Sequence, residues 1–270
     1  MTMEKKKIVL LTRDCDSTTI LYNYLSQHFP IDTVVFEKTI SKSEQFRRRV
    51  KFIGFWNAIG QVIFMLSAFP FLKLTSQGKR KKILTQYNLD ITTIPVEKIK
   101  RIDKLSSTKG REFLQELKPG LLIVNGTRIL SKKTLESVSA PFVNIHTGIT
   151  PAYRGVHGGY WAVAKGQKNF FGTTIHYVDP GVDTGGIIEQ VFAEPGKENN
   201  FYTYPYVQYA TVLPVLKQVV ESFIDGQTPP TKPSVANESA LWFHPTIFQW
   251  FGNLKRTFIF LLVSSFIQLF

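Results

Sequence analysis

Pro141-Phe-Val-Asn-Ile-His-Thr-Gly-Ile-Thr-Pro-Ala-Tyr-Arg-Gly155 decides how the rest of the chain is read, because it brings an amide and an imidazole together into a turn-rich loop. Phe142, Val143 and Ile145 predict a buried strand. Residues two apart on a strand point to one face, so Asn144 and His146 can reach a common point at its carboxyl end. Thr147, Gly148, Pro151 and Gly155, which follow, are loop residues. A second loop, Asp179-Pro-Gly-Val-Asp-Thr-Gly185, offers Asp183 as a third polar group.

Outward from that stretch, strand and helix patterns alternate. Residues 7–12 and 32–37 read as buried strands. Between them lies a helix capped by Asp16 or Ser17 and carrying Ile20, Leu21, Tyr24 and Leu25. Strand, helix and strand at this spacing open an α/β sheet that is mostly parallel and Rossmann-like. Further strands are expected at 91–95, 119–124, 171–178 and 186–192. Helices are expected at 106–117, 132–138, 157–165 and 203–223, the last interrupted by Pro205 and Pro214. His176 alternates with apolar neighbours in its strand and reads as a core residue. A catalytic unit over 1–227 is expected, followed by a proline-rich linker and an aromatic, apolar tail over 228–270. The final fourteen residues are too few to span a bilayer and suit shallow insertion or docking on a partner.

Composition narrows the class. The chain has 270 residues, enough for one large domain or a domain with an appendage. Its single cysteine, Cys15, forms no intrachain disulfide and belongs to no thiol cluster of zinc-ligand spacing, so no metal is expected. The start, Met1-Thr-Met-Glu-Lys-Lys-Lys7, lacks a signal-peptide pattern, and a cytoplasmic setting is expected, with peripheral membrane attachment as an option. Of the net charge of +13, residues 38–104 contribute +11, from fifteen Lys/Arg against four acids. That density suits phosphates, whether on a nucleotide-linked substrate, a nucleic acid or an anionic membrane. Residues 40–86 read as a basic, apolar helical insertion. Lys51, Asn57, Gln61 and Pro70 break any membrane span, and a helix or hairpin covering the core or lying at a bilayer interface fits better. No His-Glu-x-x-His, phosphate-binding Gly-rich Lys-Ser/Thr loop or Gly-x-Ser-x-Gly elbow is present.

Asn-Ile-His with its Pro-Ala-Tyr-Arg-Gly turn, Gly172-Thr-Thr-Ile-His-Tyr-Val-Asp179 and Asp179-Pro-Gly-Val-Asp-Thr-Gly-Gly-Ile-Ile188 together resemble the folate-dependent formyltransferases. That superfamily includes glycinamide ribonucleotide, methionyl-tRNA and amino-sugar formyltransferases. The resemblance implies the formyltransferase fold and Asn144, His146 and Asp183 as the catalytic set. It implies 10-formyltetrahydrofolate as co-substrate, held by the turn residues Gly126, Thr127, Arg128, Ile129 and Leu130 and by Asp179, Gly181 and Val182. Thr147, Arg154 and His157 are the expected acceptor-side residues. Thr147-Gly-Ile-Thr-Pro151 departs from the Ser-Leu-Leu-Pro of many relatives. The first turn, Arg13-Asp-Cys-Asp-Ser17, lacks the glycines with which glycinamide ribonucleotide enzymes hold a phosphate.

The implied chemistry is acyl transfer to an amine. Asn144 is expected to donate to the developing oxyanion, His146 to assist that charge or the proton movement, and Asp183 to orient the imidazole and a proton-relaying water. The acceptor expected by elimination is a nucleotide- or lipid-linked amino sugar used in surface-polysaccharide synthesis. Glycinamide ribonucleotide formylation stays open as an alternative, as does a non-catalytic membrane- or nucleic-acid-binding protein on the same fold. Expected partners are the small amine acceptor and an anionic membrane surface met through 40–86 and 257–270; nucleic acid is disfavoured and a homodimer is compatible.

Overall fold

Alternate residues of one short strand enter two different cores. Ile8 and Leu10 join a cluster with Ile20, Leu21, Leu25, Val212 and Leu216, whereas Val9 and Leu11 join Leu105, Leu114 and Leu122. A strand covered on both faces must be apolar at every position, which explains the unbroken run Ile-Val-Leu-Leu. The computed structural model describes residues 6–254. Strands β1 (Ile8–Thr12) and β2 (Ile31–Glu37) flank helix α1 (Asp16–Ser26). The insertion is four helices, α2 (Lys42–Ile53), α3 (Phe55–Leu66), α4 (Ala68–Thr75) and α5 (Gln77–Gln86). Then come β3 (Ile99–Ile102), α6 (Thr108–Leu117), β4 (Leu121–Asn125), the single turn α7 (Lys132–Leu135) and β5 (Phe142–His146). The chain continues through β6 (Arg154–Gly155), α8 (Gly158–Ala164), β7 (Gly172–Tyr177), β8 (Ile187–Phe192), α9 (Tyr204–Ile224) and β9 (Leu241–Trp242).

The main sheet has the order β3-β2-β1-β4-β5-β7-β8. Its first five strands run parallel; β7 and β8 are antiparallel. Register aligns Thr12 with Asn125 and Val124 with Asn144, so β1, β4 and β5 end at one edge. In open α/β sheets, ligands bind outside these carboxyl ends. The antiparallel pairing places His176 opposite Asn144.

Several expectations are corrected. The strand expected at 91–95 is irregular: Asn23 Nδ2 donates to the carbonyl of Thr92, and to that of Asp90 just before the segment, in place of a neighbouring strand. The edge strand falls later, at β3, where it borders only β2. The helix expected over 132–138 shrinks to one turn. α9 is not interrupted by its prolines. Pro205 sits in the first turn, where its missing N–H is not needed. Pro214 removes one hydrogen bond, but a long buried face from Tyr206 to Phe223 holds the helix to the sheet. The insertion is more than a hairpin. α3 seats Ala58, Gly60, Gln61 and Phe64 inward, and α5 is tied to α1 and α9 through Arg80, Asp16 and Tyr206.

Residues 228–240 lack regular secondary structure but stay on the body of the protein: the Lys232 N–H donates to the carbonyl of Ile187 and the Ser234 hydroxyl to that of Thr150. β9 pairs with β6, and Trp242 stacks between Tyr153 and Trp161 while its indole N–H donates to the carbonyl of Ala152. Gln61 Nε2 reaches the carbonyl of His244 at 2.6 Å, and Trp250 lies against Phe64. The tail expected over 257–270 lies outside the described residues.

Candidate active site

β5 ends on Asn144, Ile145 and His146, with Ile145 turned into the core and the two polar side chains at the sheet edge. The Asp183 loop folds over that edge, and its carboxylate becomes the hub. Oδ1 accepts from Asn144 Nδ2 at 3.2 Å and lies 3.6 Å from His176 Nε2. Oδ2 accepts from the Gly155 N–H at 2.8 Å and lies 3.4 Å from His146 Nδ1. Asp183 adopts a left-handed backbone (φ +50°), which is uncommon outside glycine and turns the carboxylate inward. Burial works to raise its pKa, but His146, His176 and the Gly155 N–H outweigh that and hold it at about 2. It is therefore an anion throughout the physiological range.

The hydrogen-bond network assigns the other protons. His176 Nδ1 donates to the carbonyl of Tyr177 at 2.7 Å, so Nε2 accepts from Asn144 Nδ2 at 3.0 Å. Both amide hydrogens of Asn144 are thereby held, by His176 and Asp183, while its Oδ1 accepts no hydrogen bond among the described residues. The expected oxyanion donation by Asn144 would need one of those bonds to open. His146 is 6% exposed, with Nε2 2.6 Å from the carbonyl of Tyr153. Burial lowers its pKa against the pull of Asp183, leaving the ring neutral near pH 7. Gly148 permits this packing, since a Cβ there would stand 2.3 Å from the Tyr153 carbonyl oxygen and 2.6 Å from His146 Nε2.

The three polar groups line a cleft of about 1130 Å³ with two distinct halves. One half is bounded by Val124 to Leu130 and by Val178 to Asp183. Gly126 turns the chain there at φ +72°. Thr127 lines the wall, its hydroxyl donating to the carbonyl of Arg128 at 3.0 Å, which tightens the turn. Buried Glu37 fixes this turn, accepting from the N–H of Arg128 at 3.1 Å and pairing with its guanidinium at 2.8 Å. Ile129 is exposed at the rim, whereas Leu130 is packed into the second core. Asp179 spends its carboxylate on the Gly181 N–H and the Thr184 hydroxyl, so it shapes the loop. Gly181 and Val182 line the same wall.

The other half is walled by α1, the insertion, α9 and the C-terminal strap. Six Arg/Lys side chains line the cleft against three carboxylates. Arg48, Arg80 and Arg128 are paired with Glu44, Asp16 and Glu37. Arg13, Arg49 and Lys73 make no ion pair among the described residues, which leaves their charge available to an anion. Thr147 and His157 line this region. His157 Nε2 meets His244 Nδ1 at 2.9 Å, and its ring lies on Phe201. Burial pushes both imidazoles down, His244 to about 4, with Arg49 and Arg13 adding to its shift. Arg154 corrects an expectation: it is absent from the cleft lining and donates to the carbonyl of Val182, bracing the Asp183 loop from behind. Sequence reasoning missed Glu37, Arg13, Arg49, Lys73 and His244. Only the basic composition of 40–86 signalled two of them.

Residues 77–195 match the family described as formyl transferase. The methionyl-tRNA formyltransferase of Clostridium tetani is 32% identical over 114 residues, 42% of this chain and 36% of that protein. The matched stretch thus spans about a third of the length of the curated relatives. Among solved structures, a sugar N-formyltransferase from a Shewanella species superposes with a TM-score of 0.52 at 17% identity, covering 86% of this chain and 75% of that one. The phosphoribosylglycinamide formyltransferase of Streptococcus pneumoniae gives 0.51 at 19% identity, covering 80% and 98%. At these identities the likeness is one of fold.

Proposed function

We propose that this chain, whose residues 77–195 match the formyl transferase family, moves a formyl group from 10-formyltetrahydrofolate to the amine of a small anionic acceptor. An amino sugar carrying phosphate, linked to a nucleotide or a lipid as in surface-polysaccharide assembly, fits the cleft best. One observation carries the reading: the Asp183 hub sits where a glycine-turned slot meets a chamber whose three cations have no ion-pair partner among the described residues. At about 1130 Å³ the cleft stands at the top of the roughly 300–1,000 Å³ range of ligand pockets.

The slot suits a flat ring. Val178, Val182 and Ile129 give it apolar walls, and the backbone near Gly126 can approach closely. Bound there, 10-formyltetrahydrofolate supplies the formyl carbon. Asn144 Oδ1 can accept an N–H of the incoming amine and aim its lone pair. Neutral His146 can take up the proton that the amine loses as its nitrogen bonds to the formyl carbon, and return it to the folate nitrogen as the bond from that nitrogen to the formyl carbon breaks. The resulting imidazolium would donate from Nε2 to the Tyr153 carbonyl and from Nδ1 to Asp183, so both acceptors that a neutral ring cannot satisfy together become satisfied. Asp183, with its pKa near 2, is too weak a base for that task and acts as the fixed counter-charge.

The test is transfer of labelled formyl from 10-formyltetrahydrofolate to a panel of amines: nucleotide-linked amino sugars, lipid-phosphate amino sugars and glycinamide ribonucleotide. Transfer to at least one amino sugar is expected. Labelling of glycinamide ribonucleotide alone, together with rescue of a purine auxotroph, would replace the acceptor assignment. No transfer to any amine would remove the enzymatic one.

A further inference from the structure

We propose that the outer face of α3 and α4, with the helical residues 247–254 beside it, docks on an anionic lipid bilayer. Trp56, Ile63, Leu66 and Leu74 fall three, seven or eight residues apart, on the side of the two helices away from the protein. Their exposures, 81%, 44%, 75% and 74%, leave much of each side chain open to solvent. Phe52, Phe55 and Phe71 extend the face, and Phe248, Phe251 and Leu254 continue it across the neighbouring stretch. These two surfaces adjoin, since Gln61 bonds to His244 and Phe64 packs on Trp250, the neighbour of Phe251. Large contiguous apolar patches on a protein surface mark interaction sites.

Charge selects the occupant. Outside the cleft lining, the insertion exposes Lys42, Arg47, Lys51, Lys79, Lys81 and Lys82, with Glu44, its one acid, paired to Arg48. A second copy docked through the same face would bring two such basic surfaces together, which opposes a symmetric dimer there. Anionic lipid complements them, and apolar side chains flanked by Lys and Arg are the make-up of helices that lie in the headgroup layer. The segment Phe55–Thr75 is long and apolar enough to cross a membrane, with a mean hydropathy of 1.5. Its inner face, however, is fixed on the protein: Phe64 packs on Phe201, and Gly60 lies so close to Thr246 that a Cβ would come within 2.9 Å. Crossing would tear those contacts open, so the helices lie along the surface.

The position has a consequence for substrate. Phe69 and Lys73 of α4, with Arg49 and Phe52 of the adjoining α2, line the acceptor half of the cleft, which therefore opens beside the bilayer. Resting on the formyl-transfer reading, this favours an amine-bearing phosphate on a lipid anchor over a nucleotide-linked one.

The experiment is flotation of the full chain with vesicles of phosphatidylcholine alone and of phosphatidylcholine mixed with phosphatidylglycerol. Binding of a fluorescent folate analogue is read in parallel. Wild type should float with the mixed vesicles and much less with the neutral ones. The combined variant Trp56→Ser, Leu66→Ser, Leu74→Ser should lose vesicle binding about tenfold or more with folate binding unchanged. Lys79→Gln, Lys81→Gln, Lys82→Gln should weaken binding to mixed vesicles only. Failure of wild type to float, or equal flotation of the serine variant, would overturn the docking face. So would a wild-type dimer in light scattering that the serine variant converts to monomer, since a second copy would then cover the face. Loss of folate binding by wild type would instead strike at the transferase reading and leave the vesicle result standing.

Discussion

Asp183 must stay ionised in a pocket that leaves its side chain 14% exposed, and the groups around it set both the chemistry and the pH response. Its pKa falls from 3.8 to about 2 on folding, so its stabilising contribution is present above about 4 and is lost as pH drops through 2. The amount is on the order of 2 kcal/mol. Asp183→Asn should flatten the loss of thermal stability between pH 4 and 2. It should also lower kcat about 10²–10⁴-fold at pH 7 with little change in folate affinity, since it removes the counter-charge that an imidazolium at His146 needs. Unaltered kcat would sink the hub assignment. Asn144 and His146 were legible because two-residue spacing on a strand forces them onto one face. His176 was not. Alternation said only that it faces a sheet surface, and its contact with Asn144 depends on an antiparallel register between β5 and β7 that no local pattern encodes. Arg154 misled for a similar reason, because a loop arginine reads as a ligand contact until its guanidinium is seen donating to Val182.

At the scale of elements, the end of β2 controls a turn about ninety residues later. Glu37, 7% exposed, holds Arg128 by side chain and backbone and also accepts from the Leu105 N–H. Glu37→Ala removes the carboxylate from the N–H groups of Arg128 and Leu105, while the Arg128 guanidinium keeps the carbonyl of Asp103, a change that should cost about 1–3 kcal/mol. The expected result is a lower unfolding midpoint in urea and folate affinity weakened at least about tenfold; intact affinity would separate the turn from the slot. The strap through His244 has its own pH signature. Its folded pKa of about 4 lies below the usual 6.5, so folding favours the neutral ring, and the strap's contribution declines as pH falls from 6.5 toward 4. The span is on the order of 3 kcal/mol. In hydrogen exchange, the amides of 241–250 should open first on acidification, and His244→Asn should remove that trend. The central strands were readable because burial on two sides demands unbroken apolar runs. β3, Ile99-Lys-Arg-Ile102, has only one neighbouring strand and two charged residues out of four, so composition hides it. Pro214 warned of a helix break that tertiary packing overrides.

Across the whole molecule, the positive charge is concentrated where the cleft can use it. Residues 38–104 hold +11 of the net +13, and the insertion within that span supplies two of the three cleft cations that lack ion-pair partners among the described residues. The sequence showed the charge but not its direction, because whether Arg49 and Lys73 face solvent or a cavity depends on how four short helices pack against α9 and the strap. If their field draws the acceptor in, kcat/KM for an anionic amine must fall as salt rises, since exposed charges are screened beyond about 8–10 Å at physiological ionic strength. Folate is also anionic, so salt dependence alone would not isolate the chamber. The comparison that does is Arg49→Ala with Lys73→Ala against wild type at saturating folate. The double variant should raise the acceptor KM about tenfold or more at low salt with kcat nearly unchanged, because the proposed role of these side chains is to meet the phosphate and not the reacting nitrogen. Its KM should then vary far less with salt, so that the two proteins converge as ionic strength increases. Parallel salt curves, offset by a constant factor, would mean that the cations act on folding of the insertion, and that the acceptor's charge is met elsewhere in the cleft.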